Sequence, residues 1–104
     1  MREVGSSGTG RYLVKLVKAA GGMAEKVRWH RKGPPDYLVT WSMAEMRRLG
    51  PMDLVETKAP GKGPRPEQVR DHNRRRKLGV TVWVLNTQEE IRAYVEWRLR
   101  YNNV

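Results

Sequence analysis

Pro35-Asp36 and the later triplet Glu56-Thr57-Lys58 place two carboxylates and one ammonium in a pattern suited to hydrolysing a phosphodiester. Paired carboxylate oxygens hold a hard divalent cation, and a neighbouring lysine helps activate water or offsets charge developing on phosphate. The spacing supports a shared site. Leu54 to Lys58 reads as a strand, on which residues two apart project from one face, so Glu56 and Lys58 point together. Asp36 opens a second strand-like run, Tyr37 to Trp41, and pairing of the two strands would bring Asp36 to Glu56. The same charges also have a plainer reading as solvated strand ends, so the rest of the chain has to decide.

The elements that would carry these residues follow in the order helix, strand, strand, strand, helix, strand, helix. Residues 11–20 put Leu13, Leu16, Val17 and Ala20 on one helical face, and Gly21-Gly22 ends the run. Met23 to Trp29 reads as extended, and Lys32-Gly33-Pro34-Pro35 as a turn before the Asp36 strand. Ser42 to Gly50 stays open between a short helical turn and an enlarged hairpin loop. Ala59 to Pro66 is too rich in proline and glycine for a sheet, and Pro66 suits the first turn of a helix reaching Leu78, with Val69 and Leu78 as apolar anchors. Gly79 stops that helix and Val80 to Val84 reads as a buried strand. Thr87 and Glu90 have capping-box spacing, and Ile91, Val95 and Leu99, widened by Tyr94, form the last helix's inner face.

This order predicts an α/β fold with a central mixed sheet flanked by helices, one domain over residues 11–104 after a glycine- and serine-rich, flexible segment 1–10. A chain of 104 residues buries only a modest core. Its 21 Lys and Arg against 11 Asp and Glu give a formal charge of +10, which favours polyanions, nucleic acid first among them. No apolar run is long enough for a spanning helix, which sets the membrane aside. The absence of cysteine excludes disulfides and cysteine-bound zinc and suits a reducing cytoplasm.

The ordered set of motifs resembles the VRR-Nuc domain, in its stand-alone phage and bacterial form, a branch of the PD-(D/E)xK nuclease superfamily. Tyr12-Leu13-Val14-Lys15 with Gly21-Gly22 looks like its opening helix and turn, Lys26-Val27-Arg28-Trp29 like its first strand, and Gly33-Pro34-Pro35-Asp36 like its first catalytic motif. Val55 to Gly61 resembles the second motif, Gln68 falls at its usual place in the next helix, and Leu78 to Leu85 resembles the closing strand. Coverage runs from about residue 11 to residue 100. The resemblance implies a restriction-endonuclease-like fold and a metal-dependent endodeoxyribonuclease. Asp36, Glu56 and the Thr57 backbone carbonyl would hold Mg²⁺ or Mn²⁺, Lys58 would position or deprotonate water, and Gln68 would orient either. It further implies a homodimer that resolves four-way DNA junctions, with no small-molecule cofactor. Members usually carry a glutamate in the first helix just ahead of the Tyr12 equivalent. Here Gly10 and Arg11 stand there, leaving Glu3 and Glu25 as the acids that could substitute.

Two basic groups are expected to meet DNA phosphates: Lys26, Arg28, Arg31 and Lys32 ahead of Asp36, and Lys62, Arg65, Arg70, Arg74 and Arg75 in and after the proline-rich loop. His72, alone among arginines, reads as a phosphate or solvent contact. The four tryptophans suit core or interface more than base stacking, with Trp97 and Tyr101 expected at a dimer contact. Outside the junction reading stand a flap, nick or fork nuclease and a non-catalytic DNA binder on the same fold; a basic ribosomal-type protein leaves the ordered motifs to coincidence.

Overall fold

The apolar stripe Leu13, Leu16 and Val17 winds into α1 (Ser6–Ala19), and the chain leaves it through a left-handed Gly21 at φ 91°. There the Gly21 N–H donates to the Lys18 carbonyl at 3.0 Å and the Gly22 N–H to the Val17 carbonyl at 2.9 Å, a Schellman closure. The computed structural model describes residues 6–41 and 52–102. After α1 come β1 (Met23–Lys26), β2 (Tyr37–Thr40), β3 (Met52–Thr57), α2 (Pro66–Lys77), β4 (Val82–Leu85) and α3 (Gln88–Asn102), the expected order. Glu3, the open segment Ser42–Gly50 and the Tyr101 side chain lie outside the described residues.

The strands form one sheet in the order β1-β2-β3-β4, antiparallel except for the parallel pair β3 and β4 that α2 connects. Leu13 and Val17 of α1 and Ile91, Tyr94 and Val95 of α3 meet Tyr37, Val39 and Val55 in a single core on one face of the sheet. Side-chain alternation then sends Glu56 and Lys58 to the opposite face, where α2 crosses. At the start of α3 the anticipated capping box is formed, with the Glu90 N–H donating to Thr87 Oγ1 at 3.1 Å and the Thr87 N–H to Glu90 Oε1 at 3.2 Å. No described helix is long and apolar enough to cross a membrane.

Four expectations need correction. The helix begins at Ser6, so residues 6–10 are helical despite their composition, and packing overrides propensity here: Thr9 is fully buried and Gly10 lies against the Tyr37 ring. The first strand ends at Lys26, with the Val27 N–H still donating to the Asp36 carbonyl at 2.9 Å, and beyond it the Trp29 indole donates to the Pro35 carbonyl at 2.8 Å. The last strand starts at Val82 because the Val80 N–H caps α2 by donating to the Arg75 carbonyl at 3.0 Å. The anchors assigned to α2 are also reversed. Val69 is 40% and Leu78 79% exposed, whereas Gln68, Asp71 and His72 are the buried side chains of that helix.

Gly10 is required by this packing. A Cβ there would stand 2.3 Å from the Tyr37 hydroxyl oxygen and 2.8 Å from Cζ. Helix propensity alone would favour Gly10→Ala by up to about 1 kcal/mol, but overpacking a buried ring costs about 1–3 kcal/mol, so net destabilisation is expected in urea unfolding. An unchanged or raised midpoint would mean that α1 does not sit on Tyr37.

Candidate active site

Strand register puts Tyr37 opposite Val55, which carries Asp36 to the C-terminal end of β3. Asp36 is fixed there by one residue. Its Oδ1 accepts from the Thr57 N–H and its Oδ2 from the Thr57 hydroxyl, both at 2.9 Å. The threonine at this position therefore has a defined task, since an aliphatic side chain would leave one carboxylate oxygen without that donor. Glu56, 4% exposed, accepts at Oε2 from the Gln68 amide at 3.0 Å and from Lys58 Nζ at 3.3 Å. Gln68 is held in turn at the third position of α2, where its Oε1 accepts from the Arg65 N–H at 2.9 Å.

A cleft of about 410 Å³ opens over these groups, lined by Asp36, Glu56, Thr57, Lys58 and Gln68 and completed by Lys62 and Arg65 from the proline-rich loop. That loop is tied to the end of β4 by the Asn86 amide, which donates to the Lys62 carbonyl. Burial pushes both carboxyls above the ordinary carboxylate range. Asp36 is countered by its Thr57 donors and by the charge of Lys26, while Glu56 is raised further by Asp36 and countered by Lys58 and Gln68. The charge of Asp36 adds to burial in raising the proton affinity of Glu56, a strain that a cation held between the two acids would relieve. Glu56 Oε1 is also buried without a hydrogen-bond partner, and an oxygen-only donor set with such an unpartnered atom fits a hard divalent cation. Among the described residues no group of three or more His, Cys, Asp or Glu gathers, so the acids are two. Mg²⁺ is commonly held by one or two carboxylates with substrate phosphates completing its shell.

The other residues sort by place. Lys26 is near enough to act on Asp36, and Lys62 and Arg65 face the cleft. Arg28 and Lys32 are exposed between β1 and β2, and Arg70 and Arg74 on α2. Arg31 and Arg75 are instead engaged with Asp71, at 2.8 and 2.7 Å. Glu25 is exposed on β1 and is absent from the cleft wall. His72 is 1% exposed, not a solvent contact, and burial followed by the charge of Arg76 pushes its imidazole below the ordinary value. Its spacing four residues after Gln68 is the one sequence signal of that inward face. Trp97 is half-buried with its ring 5.2 Å from that of Trp83.

A mixed sheet with paired carboxylates and a lysine at the end of a central strand defines a nuclease of the PD-(D/E)xK type. A solved VRR_NUC domain superposes with a TM-score of 0.75 at 28% identity, over 88% of this chain and 94% of its own. A protein of Acyrthosiphon pisum secondary endosymbiont phage 1, named "Putative nuclease p44", is 39% identical over 90 residues, 86% of this chain and 90% of the relative. No family model matches the sequence. The chain belongs to the VRR-Nuc nuclease family.

Proposed function

We propose that the protein is a divalent-metal-dependent endonuclease that hydrolyses DNA phosphodiesters at branched structures, acting as a homodimer on four-way junctions. The observation that carries the catalytic part is the convergence of Asp36, Glu56, Lys58 and Gln68 on one cleft, with Glu56 Oε1 buried and without a hydrogen-bond partner. Asp36, Glu56 and the Thr57 carbonyl would hold Mg²⁺ or Mn²⁺; when bound, such an ion lowers the pKa of water and neutralises the leaving oxygen. Lys58, paired with Glu56 and lining the cleft, positions the attacking water or helps deprotonate it. Gln68 holds Glu56 through Oε2, which leaves Oε1 as the oxygen without a hydrogen-bond partner. Lys62 and Arg65 flank the scissile phosphate, and the exposed Arg28, Lys32, Arg70 and Arg74 supply salt-dependent contacts to the flanking backbone.

Dimerisation is supported by β4, the last strand in the sheet order, and by an apolar cleft of about 550 Å³ beside it, lined by Trp83, Ala93, Tyr94 and Trp97. A two-fold dimer would present two sites to a two-fold junction. Labelled four-way junctions, flaps, nicked duplexes and linear duplexes compared side by side in Mg²⁺ should give paired symmetric nicks in the junction. Preferred cutting of flaps or nicks would transfer the activity to a fork or flap nuclease. A second reading, a non-catalytic DNA binder, is favoured by the two-acid site, and predicts metal-independent binding with no cleavage of any substrate.

The raised carboxyls set a pH dependence with a definite sign. Because the folded-state values lie above the unfolded ones, their stabilising contribution is complete below the ordinary carboxylate range and is lost as pH rises through the folded values. A bound cation relieves that loss. Protection by Mg²⁺ or Mn²⁺ in thermal melts should therefore grow from about pH 4 upward, as protons cease to compete. Protection that is flat with pH, or larger in acid, would contradict a carboxylate-held ion.

A further inference from the structure

The loop between β1 and β2 is bound to α2 by a chain of contacts that ends on the peptide bond entering Asp36. The Trp29 indole donates to the Pro35 carbonyl at 2.8 Å. The Arg75 guanidinium lies 4.7 Å above the Trp29 ring and donates through Nε to Asp71 Oδ2 at 2.7 Å. Arg31 closes the chain on Asp71 Oδ1 at 2.8 Å. Gly33, at φ 116°, lets the loop approach so closely that a Cβ would stand 3.3 Å from the Glu67 carbonyl oxygen. Asp71 is almost fully buried; burial opposes its ionisation, and the two guanidiniums outweigh that, holding its carboxyl below the ordinary range.

These contacts close a circuit. From Asp36 it runs back through Pro35, Trp29 and Arg75 to Asp71, along one turn of α2 to Gln68, across to Glu56, and through Thr57 to Asp36 again. We propose that Trp29, Arg75 and Asp71 are positioning residues that hold the Asp36 carboxylate in register with Glu56, and so set the affinity of the pair for a divalent cation. This rests on the metal reading given above. It also takes Arg75 out of the DNA-contacting set, because a guanidinium shared between a tryptophan face and a buried carboxylate has to break both contacts to reach a phosphate. Groups that orient metal ligands typically change metal affinity about 10- to 100-fold when altered.

The test is a Mn²⁺ titration without DNA, read by the electron paramagnetic resonance of the free ion, on the full chain and on Trp29→Phe, Arg75→Met, Asp71→Asn, Asp36→Asn and Val17→Ala. Junction binding is measured in EDTA on the same proteins. Trp29→Phe keeps a smaller aromatic face beneath Arg75 and loses the indole donor. Mn²⁺ affinity should fall about 10-fold in Trp29→Phe and Arg75→Met, with DNA affinity in EDTA within about twofold of the parent. Unchanged Mn²⁺ affinity with weakened DNA binding in Arg75→Met would overturn the proposal in favour of a phosphate contact. Equal weakening in Val17→Ala, a core change distant from the loop, would overturn it in favour of general loosening. If Asp36→Asn binds Mn²⁺ like the parent, the metal reading itself fails, an outcome separate from failure of the positioning role.

Discussion

Glu56→Gln is expected to lower the rate of junction cleavage by about 10³-fold or more while leaving the protein folded and able to bind DNA. The substitution conserves shape, so the bonds from Gln68 and Lys58 to the retained oxygen can persist. It removes the charge and places an amide at the position of Oε1, the atom that is buried and unpartnered. Interactions that stabilise transition-state charge supply several kcal/mol, and each 1.4 kcal/mol is tenfold in rate. DNA affinity should hold or rise, because a negative charge beneath the scissile phosphate is gone. Lys58→Ala should cost about 10²-fold, the usual contribution of one positioned proton-transfer or electrostatic group. Initial rates on a labelled junction, with binding measured separately in EDTA, separate these effects. A Glu56→Gln rate within threefold of the parent would remove Glu56 from the chemistry.

Asp53→Ala carries the largest expected effect on stability, at a place with no part in the cleft. Asp53 is 4% exposed, and Arg98, 1% exposed, pairs with its Oδ2 at 3.1 Å. The Tyr94 hydroxyl donates to the same carboxylate at 2.5 Å and accepts from the Trp41 indole at 3.2 Å. Burial and the charge of Asp53 push the Tyr94 hydroxyl far up, so it remains a donor at any working pH. Removing one partner of a buried pair costs about 3–5 kcal/mol, a large share of the roughly 5–15 kcal/mol that holds a domain folded. Urea unfolding should show that loss for Asp53→Ala. The double change Asp53→Leu with Arg98→Leu should recover much of it, because no buried charge is stranded. A loss below about 1 kcal/mol for Asp53→Ala would mean that water reaches the pair.

Neither Asp53 nor Arg98 could be read from the sequence as a pair. They are far apart along the chain, and a lone acid at a strand start or a lone base near a helix end looks solvated. The same limit applies to α2, where Gln68 is expected at the site through the resemblance, but Asp71 and His72 of the same inward face are not, and the apolar residues point outward. Hydrophobic periodicity cannot find a face that is polar because it builds a site. Where burial is apolar, periodicity served well: Leu13, Val17, Ile91, Tyr94 and Val95 are all in the core. The cleft was legible for a different reason. Asp36, Glu56 and Lys58 are placed by strand alternation and one antiparallel pairing, rules local enough to apply to a string of letters. The support beneath them was hidden, because Thr57, Trp29 and Arg75 act through hydrogen bonds and stacking that depend on tertiary placement.

The central claim is that Asp36 and Glu56 form a divalent-cation site at which DNA is cut. Incubating the purified protein with a labelled four-way junction in Mg²⁺, Mn²⁺ or EDTA, beside Asp36→Asn, tests it most directly. Discrete cleavage is expected with either metal, none in EDTA, and none above background for Asp36→Asn, which still binds the junction. Binding without cleavage under every metal condition, or cleavage that survives in Asp36→Asn, would contradict it.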